Sequence, residues 1–368
     1  MKSTQLLGAF VLLLIFTFSS CKKKGCTDAF AVNYNTNAEQ DDGSCTYAVS
    51  NELLSYGPDA IQQMQLYLPA MHDENTKVIV MVHGGGWVVG YNETDKVTTF
   101  NGRYGWDILN PLLNAGYACA VMKYRTACYQ TDPDESTGNS TRFFDDMMID
   151  IDLAIEHLQD NAAELGIRND HFQLLGESAG GHIVTSYAIR SESNDKLVSA
   201  VSMFGPTALD DSEWKIGLHE LDSTYPAGIL VDGINYFRTT ENDCNLETNK
   251  YLSVLTELRS FGDHDTVKVY AENPYLQDIS PITPANIEKA TPLFLMHGDN
   301  DLLVPYSQAD LMYSAFLSKF PAAIIADDGI YAGTIKKTIY ANCGHGWIGG
   351  GCQKNTVMTD IVKWMNAH

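Results

Sequence analysis

The stretch GESAGG, residues 176–181, places a serine between small residues directly after the apolar run FQLL. The G-x-S-x-G pattern around Ser178 suits a tight turn from a strand into a helix, where larger neighbours would collide and the hydroxyl is exposed. Ser178 is therefore a candidate nucleophile, although so short a pattern also arises by chance in a glycine-rich turn. A nucleophilic serine needs a base, an acid that orients the base, and donors for an oxyanion.

A second glycine-rich stretch, HGGGW at residues 83–87, follows the apolar run VIVMV. Three consecutive glycines allow the backbone to turn its N–H groups towards the negative oxygen of a tetrahedral intermediate. We predict that the oxyanion donors are the N–H groups of Gly85, Gly86 and Ala179. A flexible loop is the alternative, but the order strand, HGGG, strand, G-x-S-x-G, helix argues against it.

Two aspartates and one histidine are candidates for the remaining roles. Asp299 and Asp301 lie just after the apolar run TPLFLMHG, and His345 follows the predicted strand KTIYA. We predict that His345 is the base and that Asp301 orients it, because the loop after the strand must reach the histidine. Asp299 is the alternative acid, or a neighbour that caps the turn.

The other histidines near these motifs have structural explanations. His83 is predicted to hold the glycine loop through a hydrogen bond, His297 stands at a strand end, and His182 packs in the helix after Ser178. The sequence contains neither a His/Cys/Asp cluster with metal-ligand spacing nor a P-loop, and no G-x-G-x-x-G opens a helix. We therefore predict neither a cofactor nor a metal.

The elements that position these residues alternate between strand and helix from about residue 60 onward, which is typical of an α/β protein. Strands are predicted over 63–69, 77–86 (running into the glycine loop), 116–125, 172–176, 197–206, 291–298 and 337–341. Helices are predicted over 143–166, 182–190 and 356–365. The first strand alternates as an edge strand would. The pattern predicts a mostly parallel, doubly wound sheet with ligands at the carboxyl ends of its strands.

The chain has 368 residues, of which 45% are hydrophobic, and a net charge of −22. This size suits one large domain with small additions, or two domains, and we predict a catalytic domain over 51–368. Because phosphates attract Lys and Arg, the acidity argues against a nucleic-acid partner and against docking on an anionic membrane through charge. Residues 207–275 interrupt the alternation, and their aromatic content favours an ordered lid over a disordered loop.

Residues 1–20 combine a basic start with the apolar run LLGAFVLLLIF and are predicted to be a signal peptide. They resemble a bacterial lipoprotein signal, which implies a lipid on Cys21 that holds the protein to the outer membrane or cell surface. Phe18 departs from the usual leucine, and the alternative is an ordinary secretory signal cleaved nearby. The apolar run is too short to favour a transmembrane anchor.

Residues 21–50 are predicted to carry this lipid anchor and a spacer module. The stretch GCTDAFAVNYNTNAEQDDGSCTY resembles short Cys-bounded modules of secreted proteins from marine and gut bacteria. A bridge between Cys26 and Cys45 would close a small loop that has no core of its own. Asp41 and Asp42 are candidate calcium ligands, with solvated carboxylates as the alternative.

Residues of about 60–368 resemble an α/β-hydrolase esterase of the secreted carboxylesterase, hormone-sensitive-lipase-like and feruloyl or acetyl-xylan esterase groups. The similarity runs through AIEHLQDNAAELGIRNDHFQLLGESAGGH and through SPIT followed by TPLFLMHGDNDLLVP. Asp301 takes the acid's position in the motif HGxxDxxVP, and the order Ser178, Asp301, His345 is that of the α/β-hydrolases.

The resemblance implies a serine esterase that cleaves carboxylic esters through an acyl-enzyme and needs no cofactor. Acetyl or feruloyl esters of plant polysaccharides fit both this resemblance and a cell-surface location. A lipase or peptidase of the same fold is one alternative. A catalytically silent binding protein is another, since the fold also serves in binding.

The eight cysteines include two further candidate disulfides. Cys343 and Cys352 flank the predicted base, and a bridge between them would tighten its loop, with two free thiols as the alternative. Cys128 and Cys244 would tie the loop after a strand to the lid, although connectivity cannot be deduced from sequence. Cys119 lies inside a predicted strand and is the expected buried free thiol.

Overall fold

A computed structural model describes residues 22–27, 31–45, 49–87, 105–126, 141–209, 274–327, 329, 331–347 and 349–368. The predicted signal peptide, Cys21, Cys128, Cys244 and all but the two ends of the insertion 207–275 lie outside the described residues. Within the described ranges, no helix combines the length and the apolar character needed to cross a membrane.

Eight strands form one sheet. They are β1 Val49–Ser55, β2 Gln63–Tyr67, β3 Val78–Val82, β4 Ala118–Met122, β5 Phe172–Glu177, β6 Leu197–Met203, β7 Leu293–Gly298 and β8 Ile335–Tyr340. Their order in the sheet is β1-β2-β4-β3-β5-β6-β7-β8. β2 is antiparallel to both of its neighbours, and every other pair is parallel. The predicted mostly parallel sheet is therefore confirmed.

Helices cover both faces of this sheet. The described α-helices are α1 Gly105–Asn114, α2 Thr141–Asp160, α3 Ala162–Leu165, α4 Ala179–Ile189, α5 Pro274–Ile279, α6 Ser307–Lys319 and α7 Lys354–Ala367. Apolar side chains of α2, α4 and α6 join the core on one face, and those of α1 and α7 join the core on the other. Helices on both faces make the sheet doubly wound, as the alternating pattern predicts.

β3 lies in the middle of the sheet and shows why the central strands are apolar throughout. Val80 and Val82 face one core, whereas Ile79 and Met81 face the other. Successive side chains of a strand point to opposite faces, so a strand covered on both sides needs a continuous apolar run. Val82 at its carboxyl end pairs with Gly176 of β5. The two glycine-rich motifs therefore follow neighbouring parallel strands and lie at the same end of the sheet, where those strands have their carboxyl ends.

Some boundaries differ from the sequence prediction. The strand predicted over 63–69 as an edge strand is β2, which lies between β1 and β4, so the edge assignment is wrong. The edge strand next to β2 is β1, whose sequence VSNELLS has no apolar run, and its first two residues fall inside the predicted spacer 21–50. The helix predicted over 143–166 divides at Asn161 into α2 and α3, and Gly166 ends it in a left-handed conformation with φ 62°. The sequence pattern did not reveal α1, α5 and α6.

The N-terminal module contains the predicted Cys26–Cys45 disulfide. Both cysteines are buried, whereas the two candidate calcium ligands are exposed. Asp41 Oδ1 accepts the N–H of Gly43 at 2.9 Å, and Asp42 Oδ1 accepts the N–H of Ser44 at 3.0 Å. The two carboxylates thus close tight turns through their own backbone, which is a common use of aspartate in loops.

Candidate active site

Ser178 occupies the turn between β5 and α4. Its backbone has φ 53° and ψ −119°, a combination that non-glycine residues rarely adopt. Two hydrogen bonds hold it there: the Ser178 N–H donates to the Met203 carbonyl at 2.9 Å, and the Ser178 carbonyl accepts the His182 N–H at 3.1 Å. Strain of this kind persists only where the surroundings fix the backbone, and such positions cluster at functional sites.

The glycines of the G-x-S-x-G motif are required by close backbone contacts. A Cβ atom at Gly176 would lie 2.2 Å from the carbonyl oxygen of Gly180, and a Cβ atom at Gly180 would lie 2.1 Å from that of Val82. Carbon and oxygen cannot approach so closely without a backbone shift. The motif therefore lets the serine turn pack directly against the end of β3.

The glycine loop that leaves β3 lies beside the nucleophile. A Cβ atom at Gly84 would be 3.0 Å from the Cβ of Ser178, and the next two glycines have φ of 108° and 59°. Ala179 is the first residue of α4, where backbone N–H groups have no acceptor within the helix. The structure therefore places the loop with Gly85 and Gly86, and the start of α4 at Ala179, beside Ser178 at the carboxyl ends of β3 and β5.

One imidazole connects the predicted nucleophile and acid. His345 Nε2 lies 3.0 Å from Ser178 Oγ, and His345 Nδ1 lies 2.8 Å from Asp301 Oδ2. A carboxylate only accepts hydrogen bonds, so the imidazole proton is on Nδ1 and Nε2 is free to accept the serine proton. The His345 side chain is 23% exposed and that of Asp301 is 0% exposed. The His345 side chain is thus partly accessible from outside the protein, whereas the Asp301 side chain is shielded from water.

Asp301 is held as a charged group. Its Oδ1 accepts the backbone N–H groups of Leu303 at 3.0 Å and Val304 at 2.9 Å. Burial alone would raise the pKa of this carboxyl, but hydrogen bonds from His297 and His345 outweigh it and lower the pKa to about 2. Asp299, the alternative acid, is exposed, and its N–H donates to the Tyr340 carbonyl.

The loop that carries His345 is fixed by a disulfide and by backbone contacts with the loop of the acid. A disulfide joins Cys343 to Cys352, as one of the two readings of the sequence predicts. The Cys343 carbonyl accepts the Asn300 N–H at 3.0 Å, which links this loop to the loop of the acid. A Cβ atom at Gly298 would lie 2.0 Å from the same carbonyl oxygen, so β7 and the histidine loop are in direct backbone contact.

Phe204 is a neighbour of the site that the sequence analysis missed. It has φ 43°, follows β6, and is 2% exposed. Its ring packs edge-on against His345 with centroids 4.6 Å apart and against Trp347 with centroids 5.1 Å apart. The one sequence signal for Phe204 was its place in the tripeptide FGP directly after a buried strand. The carboxyl end of that strand lies at the same end of the sheet as Ser178.

The three other histidines of the site motifs, His83, His182 and His297, are buried. Burial lowers the pKa of both His83 and His182 to about 4. His83 Nδ1 contacts the Gly84 carbonyl at 2.6 Å, in agreement with its predicted role in shaping the loop. His297 Nε2 donates to the Val304 carbonyl at 2.7 Å. Among the residues that the structure describes, no three His, Cys, Asp or Glu side chains form a metal-binding group.

Cys119 is also buried, in β4, and has no disulfide partner. Burial raises the pKa of its thiol well above the ordinary value, so it remains protonated and unreactive. The prediction of a buried free thiol at this position is confirmed. The site therefore brings a serine, a histidine and an aspartate into contact, an arrangement that is able to carry out nucleophilic acyl transfer.

Comparison with known proteins places this chain in a family. The family model BD-FAE matches residues 64–316, which is more than half of the chain. The probable carboxylic ester hydrolase LipM of Mycobacterium tuberculosis is 24% identical over 232 residues, which make up 63% of this chain and 43% of that protein. The chain spans about half the length of the curated relatives it matches.

Solved structures agree in fold. Carboxyl esterase 2 of the fungus Tuber melanosporum superposes with a TM-score of 0.55 at 16% identity, over 88% of this chain and 89% of that chain. A truncated carbohydrate esterase from gut microbiota gives a TM-score of 0.54 at 17% identity, over 87% of this chain and 96% of that chain. The fold is that of the α/β-hydrolases.

Proposed function

This chain belongs to the BD-FAE family, and we propose that it is a carboxylic ester hydrolase that acts through Ser178, His345 and Asp301. The observation that carries the proposal is the single imidazole that lies 3.0 Å from the serine hydroxyl and 2.8 Å from a buried carboxylate. This constellation is recognised by its geometry and by the role of each group rather than by sequence position.

The proposed reaction has two halves. His345 Nε2 takes the proton of the Ser178 hydroxyl while Oγ attacks the ester carbonyl carbon, and the resulting imidazolium then protonates the leaving alcohol oxygen. Water attacks the acyl-enzyme in the second half, with His345 again removing a proton. The carboxylic acid leaves and the serine hydroxyl is restored. Asp301 fixes the imidazole tautomer and stabilises the imidazolium in both halves.

The oxyanion of both tetrahedral intermediates is proposed to bind the N–H groups of Gly85, Gly86 and Ala179. The close contact between Gly84 and Ser178 supports this assignment, because it sets the glycine loop beside the nucleophile. Donors that are fixed before the reaction begins stabilise charge as it develops, without reorganisation.

Esters of carbohydrates are the proposed substrate class, including acetyl or feruloyl esters of polysaccharides. A neighbour in fold is named a carbohydrate esterase from gut microbiota. We further propose that the protein is exported and held at the cell surface by a lipid on Cys21. The Cys26–Cys45 and Cys343–Cys352 disulfides support an extracytoplasmic location, because disulfides persist in oxidising compartments.

Hydrolysis of p-nitrophenyl acetate by the wild type and by Ser178→Ala tests the activity. We expect turnover that falls by about four or more orders of magnitude in the variant, because the nucleophile and the base act as a unit. Absence of turnover by the folded wild type would instead favour a binding protein. Acetylated and feruloylated xylan oligosaccharides, compared with long-chain glycerides and peptide anilides, then test the substrate class.

A further inference from the structure

Three hydrogen bonds meet at His182, in the first turn of α4. Its backbone N–H donates to the Ser178 carbonyl at 3.1 Å. Its Nδ1 accepts the indole N–H of Trp87 at 3.1 Å, and its Nε2–H donates to the Ile279 carbonyl at 2.8 Å. Because a carbonyl only accepts, the ring proton is on Nε2, and both ring nitrogens are engaged.

The surroundings keep the His182 ring in this state. The residue is 0% exposed, and its ring packs against Trp87 with centroids 5.3 Å apart and against Phe144 with centroids 4.9 Å apart. Burial lowers its pKa to about 4, so the ring is neutral in neutral solution and Nδ1 keeps the lone pair that the indole needs. Both ring nitrogens of His182 bond to groups other than the Ser178 hydroxyl, which contacts His345, so His182 is not the base.

Trp87 is the last residue of the HGGGW stretch, directly after Gly86, and has φ 62°. A left-handed backbone is unfavourable for a bulky residue and must be fixed by contacts made elsewhere. The indole bond to His182 is such a contact, and it acts on the residue directly after Gly86. The position of the loop is thus tied to a side chain of the helix that begins at the nucleophile.

We propose that His182 is a positioning residue that fixes the distance between Ser178 and the oxyanion donors of the glycine loop. One histidine joins the nucleophile turn, Trp87 of the HGGGW stretch and the end of α5 at Ile279. The proposal deepens the proposed esterase function and rests on it. A misplacement of about 1 Å in a catalytic group is enough to lower a rate substantially.

Paired substitutions separate this role from simple packing. His182→Leu removes both ring bonds, His182→Asn keeps an acceptor near the position of Nδ1, and Trp87→Phe removes the donor while keeping an aromatic ring. We expect His182→Leu and Trp87→Phe to lower kcat about tenfold with KM within about twofold, since the loss falls on the transition state. His182→Asn should recover most of kcat. The effects of Trp87→Phe and His182→Leu should not add in the double variant, because both remove the same bond.

Thr185→Val is the matched control. Thr185 is equally buried on α4, and its hydroxyl donates to the Gly181 carbonyl within the same helix rather than to the glycine loop. This variant should lose thermal stability without a change in kcat. A readout independent of turnover is the hydrogen exchange of the Trp87 indole N–H, identified in NMR spectra by its absence in Trp87→Phe. It should be slow in the wild type and in His182→Asn, and fast in His182→Leu.

The outcomes distinguish the two proposals. If the wild type hydrolyses esters but His182→Leu keeps its kcat, or loses no more than Thr185→Val does at equal stability, the positioning role is wrong and the esterase proposal stands. Additive losses in the double variant would also overturn it. If the folded wild type hydrolyses no ester, the proposed function fails and this inference fails with it.

Discussion

The turn around Ser178 and the loop around His345 position the two residues of one hydrogen bond, between Ser178 Oγ and His345 Nε2, by different means. The turn lies between two regular elements, β5 and α4, and backbone atoms of its neighbours leave no room for a Cβ at Gly176 or Gly180. The loop lies after β8 and is held by the Cys343–Cys352 disulfide and by the bond from His345 to its acid.

The difference concerns what each region tolerates. A close-packed turn accepts no extra atom, so a change there alters fold and function together. The histidine loop has open space at Gly350, although a Cβ atom at Gly349 would lie 2.3 Å from the Asn342 carbonyl oxygen. Its geometry depends on a few specific bonds, so loss of one of these bonds changes function first. This contrast gives four predictions, from the largest expected effect to the smallest.

Asp301→Asn should lower kcat about 10⁴-fold, because an amide in place of the carboxylate selects the wrong histidine tautomer. The fold should remain intact, as expected for a bond that positions a loop side chain. Asp299→Asn is the control, and because Asp299 is exposed its kcat should stay within about twofold of the wild type. Steady-state kinetics on one activated ester is the measurement, and a larger loss in Asp299→Asn would reverse the assignment of the acid.

Gly180→Ala should destabilise the protein by about 3 kcal/mol and lower activity, since the new methyl would lie 2.1 Å from the Val82 carbonyl oxygen. Gly350→Ala in the histidine loop is the matched change, because a Cβ there meets no heavy atom within 4 Å. It should leave the free energy of unfolding within about 0.5 kcal/mol. Equal stability of the two variants in urea unfolding would remove the contrast between turn and loop.

Cys352→Ser should lower kcat and the unfolding free energy together, the latter by about 2–3 kcal/mol, because opening the bridge frees the unfolded chain and loosens the His345 loop. Mild reduction of the wild type should have the same effect. Cys45→Ser opens the other disulfide, in the N-terminal module, and should leave kcat unchanged. Peptide mapping without reductant is the direct check, and free, alkylatable Cys343 and Cys352 in the native protein would refute this prediction.

The charge of Asp301 should be visible in the pH dependence of stability. Its folded pKa of about 2 lies below the unfolded value of about 3.9, so its ionisation stabilises the fold above pH 4. This contribution, of about 2 kcal/mol, is lost as the pH falls from about 4 to 2. The difference in unfolding free energy between the wild type and Asp301→Asn should therefore be constant from about pH 5 to 7 and shrink below 4. A difference that grows towards acid pH would contradict the assigned pKa direction.

The two regions also differ in how far sequence predicts them. GESAGGH and HGGGW predict the serine turn and its loop because the constraint is local: Gly176 and Gly180 have no room for a Cβ atom. Predicting the contact between His345 and Asp301 required the order of the motifs along the chain and the resemblance to the α/β-hydrolases, because the two residues are 44 positions apart. The contacts of Phe204 and the bond between Trp87 and His182 join residues that are far apart in the chain. They depend on how strands, helices and loops pack together, which a local sequence pattern does not show. The edge strand β1 was missed for a similar reason, because it is set by pairing with β2 rather than by its own composition.

The central claim is that Ser178 is the nucleophile of an esterase, and covalent labelling tests it most directly. Native protein is incubated with a fluorophosphonate, and the fraction labelled is compared with the remaining ester turnover. We expect one adduct per chain, on the peptide that contains Ser178, and turnover that falls in proportion to labelling. No label should enter Ser178→Ala. An adduct on another residue that abolishes turnover, or full turnover by protein labelled at Ser178, would contradict the account.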